Sequence, residues 1–274
     1  MPKPTTTAKI LVASTKSEVG ATLNPAIVDL CVAALQARNV FTIALSGGSL
    51  PSFLASLPQA FANRKIDPQF DKWHVLLADE RCVATTDSDS NLGALQDKLF
   101  GKLQIPSSHI HGIDESQLHD TAGVAAAYVP VVENVLALSG GILDVAVLGF
   151  GPDGHTCSLF PGHTLLTEYS VLVAPIEDSP KPPPRRITLT LKVLNDMTRN
   201  VVYCGAGASK TPILEAVFAK DTIKAAAEDN RYYYTASMVN DPAPYPCAMV
   251  APLEQLIWVV DADAMPKKKN GVDE

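Results

Sequence analysis

Leu143-Asp144-Val145-Ala146-Val147-Leu148-Gly149, continued by Phe150-Gly151-Pro152-Asp153-Gly154-His155, decides the fold. The first seven residues are the most strand-like run in the chain, and all but one are apolar or glycine. A strand without polar-outward alternation is covered on both faces, as in a parallel sheet between helix layers. Other short apolar runs repeat the pattern at 8–14, 41–45, 73–78, 171–174, 187–191, 201–204 and 256–260. Helical spacing falls between them. Ile27, Leu30, Cys31, Ala34 and Leu35 mark a helix over 24–39. A short helix is expected over 51–61, with Pro51 in its first turn. Asp89 or Ser90 caps another that runs to about Phe100. Val124, Tyr128, Val131, Val132 and Val135 mark a further one, which Pro130 should kink or delay. The last covers 209–219, and 176–184, with four prolines, reads as a surface loop.

Strands alternating with helices, and no Pro/Gly/Ser linker, give one α/β domain over 1–266, a doubly wound, mostly parallel sheet flanked by helices. The polar tail 267–274, with Lys267-Lys268-Lys269, is expected to be disordered and solvated. Composition excludes several classes. With 47% hydrophobic residues and a mean hydropathy of +0.12, the bulk of the chain is not disordered. No uninterrupted apolar run reaches ~18 residues, so no membrane partner is expected, and the start lacks the apolar core of a secretory signal. A net charge of −7 argues against nucleic acid. Any anionic ligand must therefore meet a locally positive pocket. Five scattered cysteines without a CxxC pair read as buried reduced thiols in a cytoplasmic protein.

In open α/β sheets, ligands bind beyond the carboxyl ends of the strands, and the unusual polar clusters sit there. Ser46-Gly47-Gly48-Ser49-Leu50-Pro51 follows a strand and opens a helix. Its N–H groups and hydroxyls suit a phosphate; a plain strand-to-helix turn stands level with that reading. Asp79-Glu80-Arg81 ends another strand, either as a solvated ion pair or with Asp79 on substrate hydroxyls and Arg81 on an anion. Gly149 to Gly154 spells G-x-G-x-x-G, but only His155 to Phe160 separate it from Pro161-Gly162, so no helix can open there. The glycines instead shape a turn presenting Asp153 and His155. At i, i+2 in extended backbone, both side chains face one way, and a carboxylate beside an imidazole makes a general base. A structural histidine and a metal site completed by Asp79 or His163 are the weaker alternatives. Arg185, Arg186 and Lys210 are ordinary surface charges by themselves, and candidate phosphate ligands at strand ends. His109, His111 and His119 read as surface residues.

Taken in order, LSGGSLP (45–51), LADERCV (77–83), SDSN (88–91), LGFGPDGHTCSLFPGH (148–163), RITLT (186–190) and GAGASK (205–210) closely resemble the 6-phosphogluconolactonases. These form a branch of the glucosamine-6-phosphate isomerase/deaminase superfamily. The resemblance implies a Rossmann-like sheet and hydrolysis of 6-phospho-D-glucono-1,5-lactone, the second step of the oxidative pentose phosphate pathway. It makes His155 the base and Asp153 its partner. Arg81, Arg186, Lys210 and Ser46, Gly47, Gly48 and Ser49 become phosphate or substrate contacts, and Asp79 the acidic residue at the ring end of the sugar. The ligand it implies is a small sugar phosphate; a lactone carbonyl is electrophilic by itself, so no metal or other cofactor is expected, and the chain is expected to be a monomer or weak homo-oligomer. The deaminase branch carries Glu five residues after the histidine, where this chain has Phe160, and Tyr where it has Arg81. Both departures argue against an isomerase or deaminase. A non-catalytic sugar-phosphate sensor and a metallohydrolase are the remaining rivals.

Overall fold

The computed structural model describes residues 6–228, 231–239 and 241–266; the tail expected over 267–274 lies outside them. The chain runs through β1 (Thr7–Ala13), α1 (Val19–Arg38), β2 (Phe41–Leu45), α2 (Leu50–Leu54), α3 (Leu57–Asn63), β3 (Trp73–Leu77) and β4 (Asp79–Arg81). It continues with α4 (Asn91–Lys98), β5 (Ile110–His111), α5 (Thr121–Leu138), β6 (Leu143–Gly149), β7 (Val173–Ile176) and β8 (Arg186–Leu189). The last elements are α6 (Leu191–Asp196), β9 (Thr198–Gly205), α7 (Thr211–Val217), β10 (Lys224–Glu228), β11 (Arg231–Ser237) and β12 (Gln255–Asp261).

Among the described residues, nine strands form one sheet in the order β10-β11-β1-β12-β9-β6-β2-β3-β5. Every pair from β1 to β5 in that order is parallel, and only β11 and β10 run against their neighbours. The chain builds outward from β2 through β3 to β5, then returns to place β6 on the other side of β2. The strand order thus reverses between β2 and β6, where a crevice opens above a doubly wound sheet. The apolar runs are apolar because both faces are covered: β2 is buried throughout, and β6 up to Gly149. A second, antiparallel sheet of β4, β8 and β7 stands beside the crevice.

Several boundaries differ from the sequence reading. The first helix starts at Val19 and runs through Pro25. The helix expected over 51–61 is two pieces, α2 and α3. Pro130 lies inside one assigned helix that begins at Thr121, so the late start is not found; Asp120 caps it by accepting from Gly123 N at 3.0 Å. The segments 16–38 and 121–138 are long and apolar enough, by length and composition, to cross a membrane. The sequence criterion passed over them because Asn24 and Asp29 interrupt the first and Glu133 and Asn134 the second. In the fold they are core helices, burying Leu23, Ile27, Val28 and Cys31 from α1 and Val124, Tyr128, Val132 and Val135 from α5. His109 and His111 are half-buried rather than surface residues. Their rings lie 4.0 and 5.7 Å from that of His74 on β3, and only His119 is exposed.

Candidate active site

The segments after β2, β3, β6 and β9 meet at the crevice and line an open cleft of about 200 Å³. Nine of the ten residues that the resemblance assigned to the site line it: Ser46, Gly47, Gly48 and Ser49 after β2, Asp79 and Arg81 on β4, His155 after β6, Arg186 on β8 and Lys210 after β9, whereas Arg185, also a candidate phosphate ligand, is exposed and outside the lining. The tenth, Asp153, stands behind His155, its Oδ1 2.5 Å from Nδ1.

The pair is not held by extended backbone, as i, i+2 spacing suggested. Gly151 N donates to His155 O at 2.9 Å and Gly154 N to Gly151 O at 3.0 Å, closing a tight turn with Gly154 at φ +75°. A Cβ on Gly151 would lie 2.0 Å from His155 Nδ1 and 2.3 Å from Asp153 Oδ1, so only glycine leaves room for the pair. No helix follows, and the G-x-G-x-x-G spelling has no dinucleotide-binding context. Phe160 stacks on the imidazole, ring centroids 4.8 Å apart, and also lies 5.8 Å from the Arg186 guanidinium. Burial pushes the His155 imidazole below its ordinary value, against the pull of Asp153. Asp153 is held at about 2: burial raises it, but the bonds from His155 and Lys181 outweigh that. The pair is therefore carboxylate and neutral imidazole at pH 7, with Nδ1–H on Asp153 and no protein partner on Nε2 among the described residues.

The side expected to meet an anion is equally specific. Gly48 takes φ +68°, and a Cβ on Gly47 would fall 1.8 Å from Asn91 Oδ1, so the 46–49 loop packs directly on the start of α4. The Ser46 hydroxyl is buried at the cleft with only the weak Cys157 thiol beside it. The helix that follows the loop is just five residues long, and the Ser46 N–H donates to Val147 O at 3.1 Å. Lys210 Nζ donates to Phe150 O and lies 4.9 Å from the Phe150 ring centroid; burial lowers its pKa. Arg81 donates to Asp89 O, and its Nε is buried without a partner. Asp79 is buried, accepts from Ser158 Oγ at 2.9 Å, and faces the cleft.

Arg186 departs from its expected part. Its Nε donates to Pro183 O at 2.9 Å and its Nη2 to Lys181 O at 2.8 Å and Pro182 O at 3.0 Å, so most of its donors serve the loop before β8. That loop carries a residue the sequence reading missed. Lys181 Nζ lies 3.0 Å from Asp153 Oδ2 and 3.0 Å from His155 Nδ1. His163, weighed as a metal ligand, is paired with Asp178 at 3.0 Å instead. No group of three or more His, Cys, Asp or Glu residues arranged to hold a metal occurs among the described residues. Asn91, Phe150, Cys157 and Cys204 also line the cleft; the first three stand inside the motifs that carry the resemblance, but none was assigned a role there.

The sequence profile of the glucosamine-6-phosphate isomerases/6-phosphogluconolactonase family matches residues 14–258. The 6-phosphogluconolactonase of Bos taurus is 37% identical over 262 residues, 93% of this chain and 92% of that protein. The rat enzyme of the same name is 40% identical over 213 residues, 76% of this chain and 80% of its own. Among solved structures, the 6-phosphogluconolactonase from Trypanosoma brucei superposes with a TM-score of 0.74, covering 94% of this chain and 97% of its own, at 24% identity, a likeness of fold.

Proposed function

The chain belongs to the glucosamine-6-phosphate isomerase/6-phosphogluconolactonase family, and from that premise we propose that it hydrolyses 6-phospho-D-glucono-1,5-lactone to 6-phospho-D-gluconate, with His155 activating water. The observation that carries the reading is the His155 imidazole, tied to Asp153 through Nδ1 at 2.5 Å and presenting a bare Nε2 in a cleft lined by Arg81, Arg186 and Lys210.

The chemistry follows from the geometry. The Ser46–Ser49 loop and Lys210 hold the substrate phosphate, with Arg81 and the two remaining N–H donors on Arg186 Nη1 beside them. That binding fixes the distant carbonyl near His155 and lowers the barrier through positioning. Nε2 takes a proton from water as its oxygen attacks the lactone carbonyl. Asp153 orients the ring and stabilises the imidazolium. Arg81 or the N–H groups of the glycine turns meet the developing oxyanion. The ring C–O bond then breaks, and the imidazolium returns its proton to the leaving ring oxygen. Asp79 accepts from sugar hydroxyls. A lactone carbonyl is electrophilic without assistance, so the scheme needs no cofactor. Phe160 supports the choice against isomerisation or deamination: the position where that branch carries a carboxylate holds a buried ring stacked on the base. Five free cysteines, all buried, support a reducing, cytoplasmic setting.

The test is direct. Purified protein should accelerate loss of freshly made δ-lactone over buffer and release neither ammonia nor ketose from amino or aldose hexose phosphates. A decay rate equal to that in buffer overturns the proposal.

A further inference from the structure

Lys181 reaches the catalytic pair from the Pro-rich connection between β7 and β8. Its Nζ lies 3.0 Å from Asp153 Oδ2, 3.1 Å from Oδ1 and 3.0 Å from His155 Nδ1. Asp153 Oδ1 is at the same time 2.5 Å from that Nδ1. A ring nitrogen carries a proton or a lone pair, so Nδ1 either donates to Asp153 or accepts from Lys181. The 2.5 Å contact assigns the proton to the Asp153 bond. The ammonium hydrogens then go to both carboxylate oxygens, and the Lys181 charge is left beside the ring without a bond to it.

The lysine is held in place by its backbone. Arg186 donates to the carbonyls of Lys181, Pro182 and Pro183. Ser179 Oγ donates to Lys181 O at 2.9 Å and accepts from Lys181 N at 3.3 Å. Arg186 itself is buried. A buried arginine that anchors three successive carbonyls turns a proline-rich loop into a fixed mount for one long side chain.

We propose that Lys181 is a positioning residue for His155: it pins Asp153 as the acceptor of Nδ1–H and keeps Nε2 bare by opposing a second proton on the ring. The inference rests on the reading of His155 as the base. The charged groups facing the ring are Asp153 from its own turn, Lys181 from the β7–β8 loop and Asp79 from the start of β4, while Arg81, Arg186 and Lys210 line the rest of the cleft. Of these, Asp153 and Asp79 favour the protonated ring; burial and the Lys181 charge oppose it. Without Lys181 the balance shifts to the acids. Imidazolium would then persist to higher pH, where it cannot take a proton from water.

The test replaces Lys181 by Gln, Met and Arg and follows the His155 ring by proton–nitrogen and proton–carbon NMR in the ligand-free protein, beside the pH profile of kcat/KM for the lactone. Lys181→Gln and Lys181→Met should raise the His155 titration midpoint by about one unit and move the acid limb of kcat/KM upward by the same amount. Lys181→Arg, which keeps the charge, should restore both. The two neutral substitutions differ in shape, so agreement between them separates charge from loop packing. An unchanged His155 midpoint in folded Gln and Met variants overturns the proposal. So does a rise in KM alone with an unmoved limb, which would make Lys181 a substrate contact. The NMR titration needs no substrate. A chain that fails to hydrolyse the lactone but shows the shift loses the catalytic reading and keeps the Lys181–His155 coupling; an active enzyme without the shift does the reverse.

Discussion

His155 is useful as a base only while it is neutral, and its surroundings determine when that is. Burial lowers its pKa below the ordinary 6.5, against Asp153, and the Phe160 ring covers one face. The sign follows: a group whose protonated form is penalised stays neutral to lower pH. The kcat/KM profile for the lactone should therefore be flat from pH 8 down to about 6.5 and fall below that, after correction for spontaneous hydrolysis. An acid limb centred above 7 would contradict the assignment. The Asp153–His155 pair was legible in the sequence because the partners are two residues apart in a glycine-rich turn. Lys181 was not. A lysine among prolines looks like any surface charge, and its contact with the pair exists only once the β7–β8 connection folds over the end of β6.

Elements present the same contrast. The runs that became β2, β3, β6, β9 and β12 were readable because strands buried on both faces are apolar in consecutive positions rather than in alternate ones. β10 and β11 were not, since Lys224-Ala225-Ala226-Ala227-Glu228 is largely exposed at the sheet edge and shows no alternation to read. Glu80 shows what the pattern hides. The sequence offered it as one charge of a possible solvated pair, yet it is 1% exposed. Its carboxylate accepts from the N–H groups of Arg81, Asn91 and Leu92 at 2.7–2.8 Å and from Ser90 Oγ at 3.2 Å. It thereby fastens β4 to the first turn of α4, and holds Arg81 and Asn91 at the cleft. Glu80→Ala leaves three buried N–H groups without an acceptor, a loss of about 3 kcal/mol or more. Thermal unfolding should show a Tm drop of order 10 °C. A change under about 3 °C would mean that solvent or a neighbour replaces the carboxylate at no cost.

At the scale of the molecule, an acidic chain of net charge −7 gathers Arg81, Arg186 and Lys210 into one crevice with Lys181 at its side. The strand order reverses at that place, so the glycine turns of β2 and β6 face each other across it. The motifs were readable singly because each ends a strand; that they converge follows from the winding of the sheet, which sets β6 against β2 rather than beside β5. The central claim is that one imidazole activates water while other groups grip the phosphate, so the two functions should separate. The most direct measurement compares wild type with His155→Gln in single-turnover hydrolysis of the lactone, alongside calorimetric binding of 6-phosphogluconate. The account predicts a loss of about 10²–10⁴ in rate with affinity for the product kept within a few fold. Near-normal hydrolysis in the variant would contradict it.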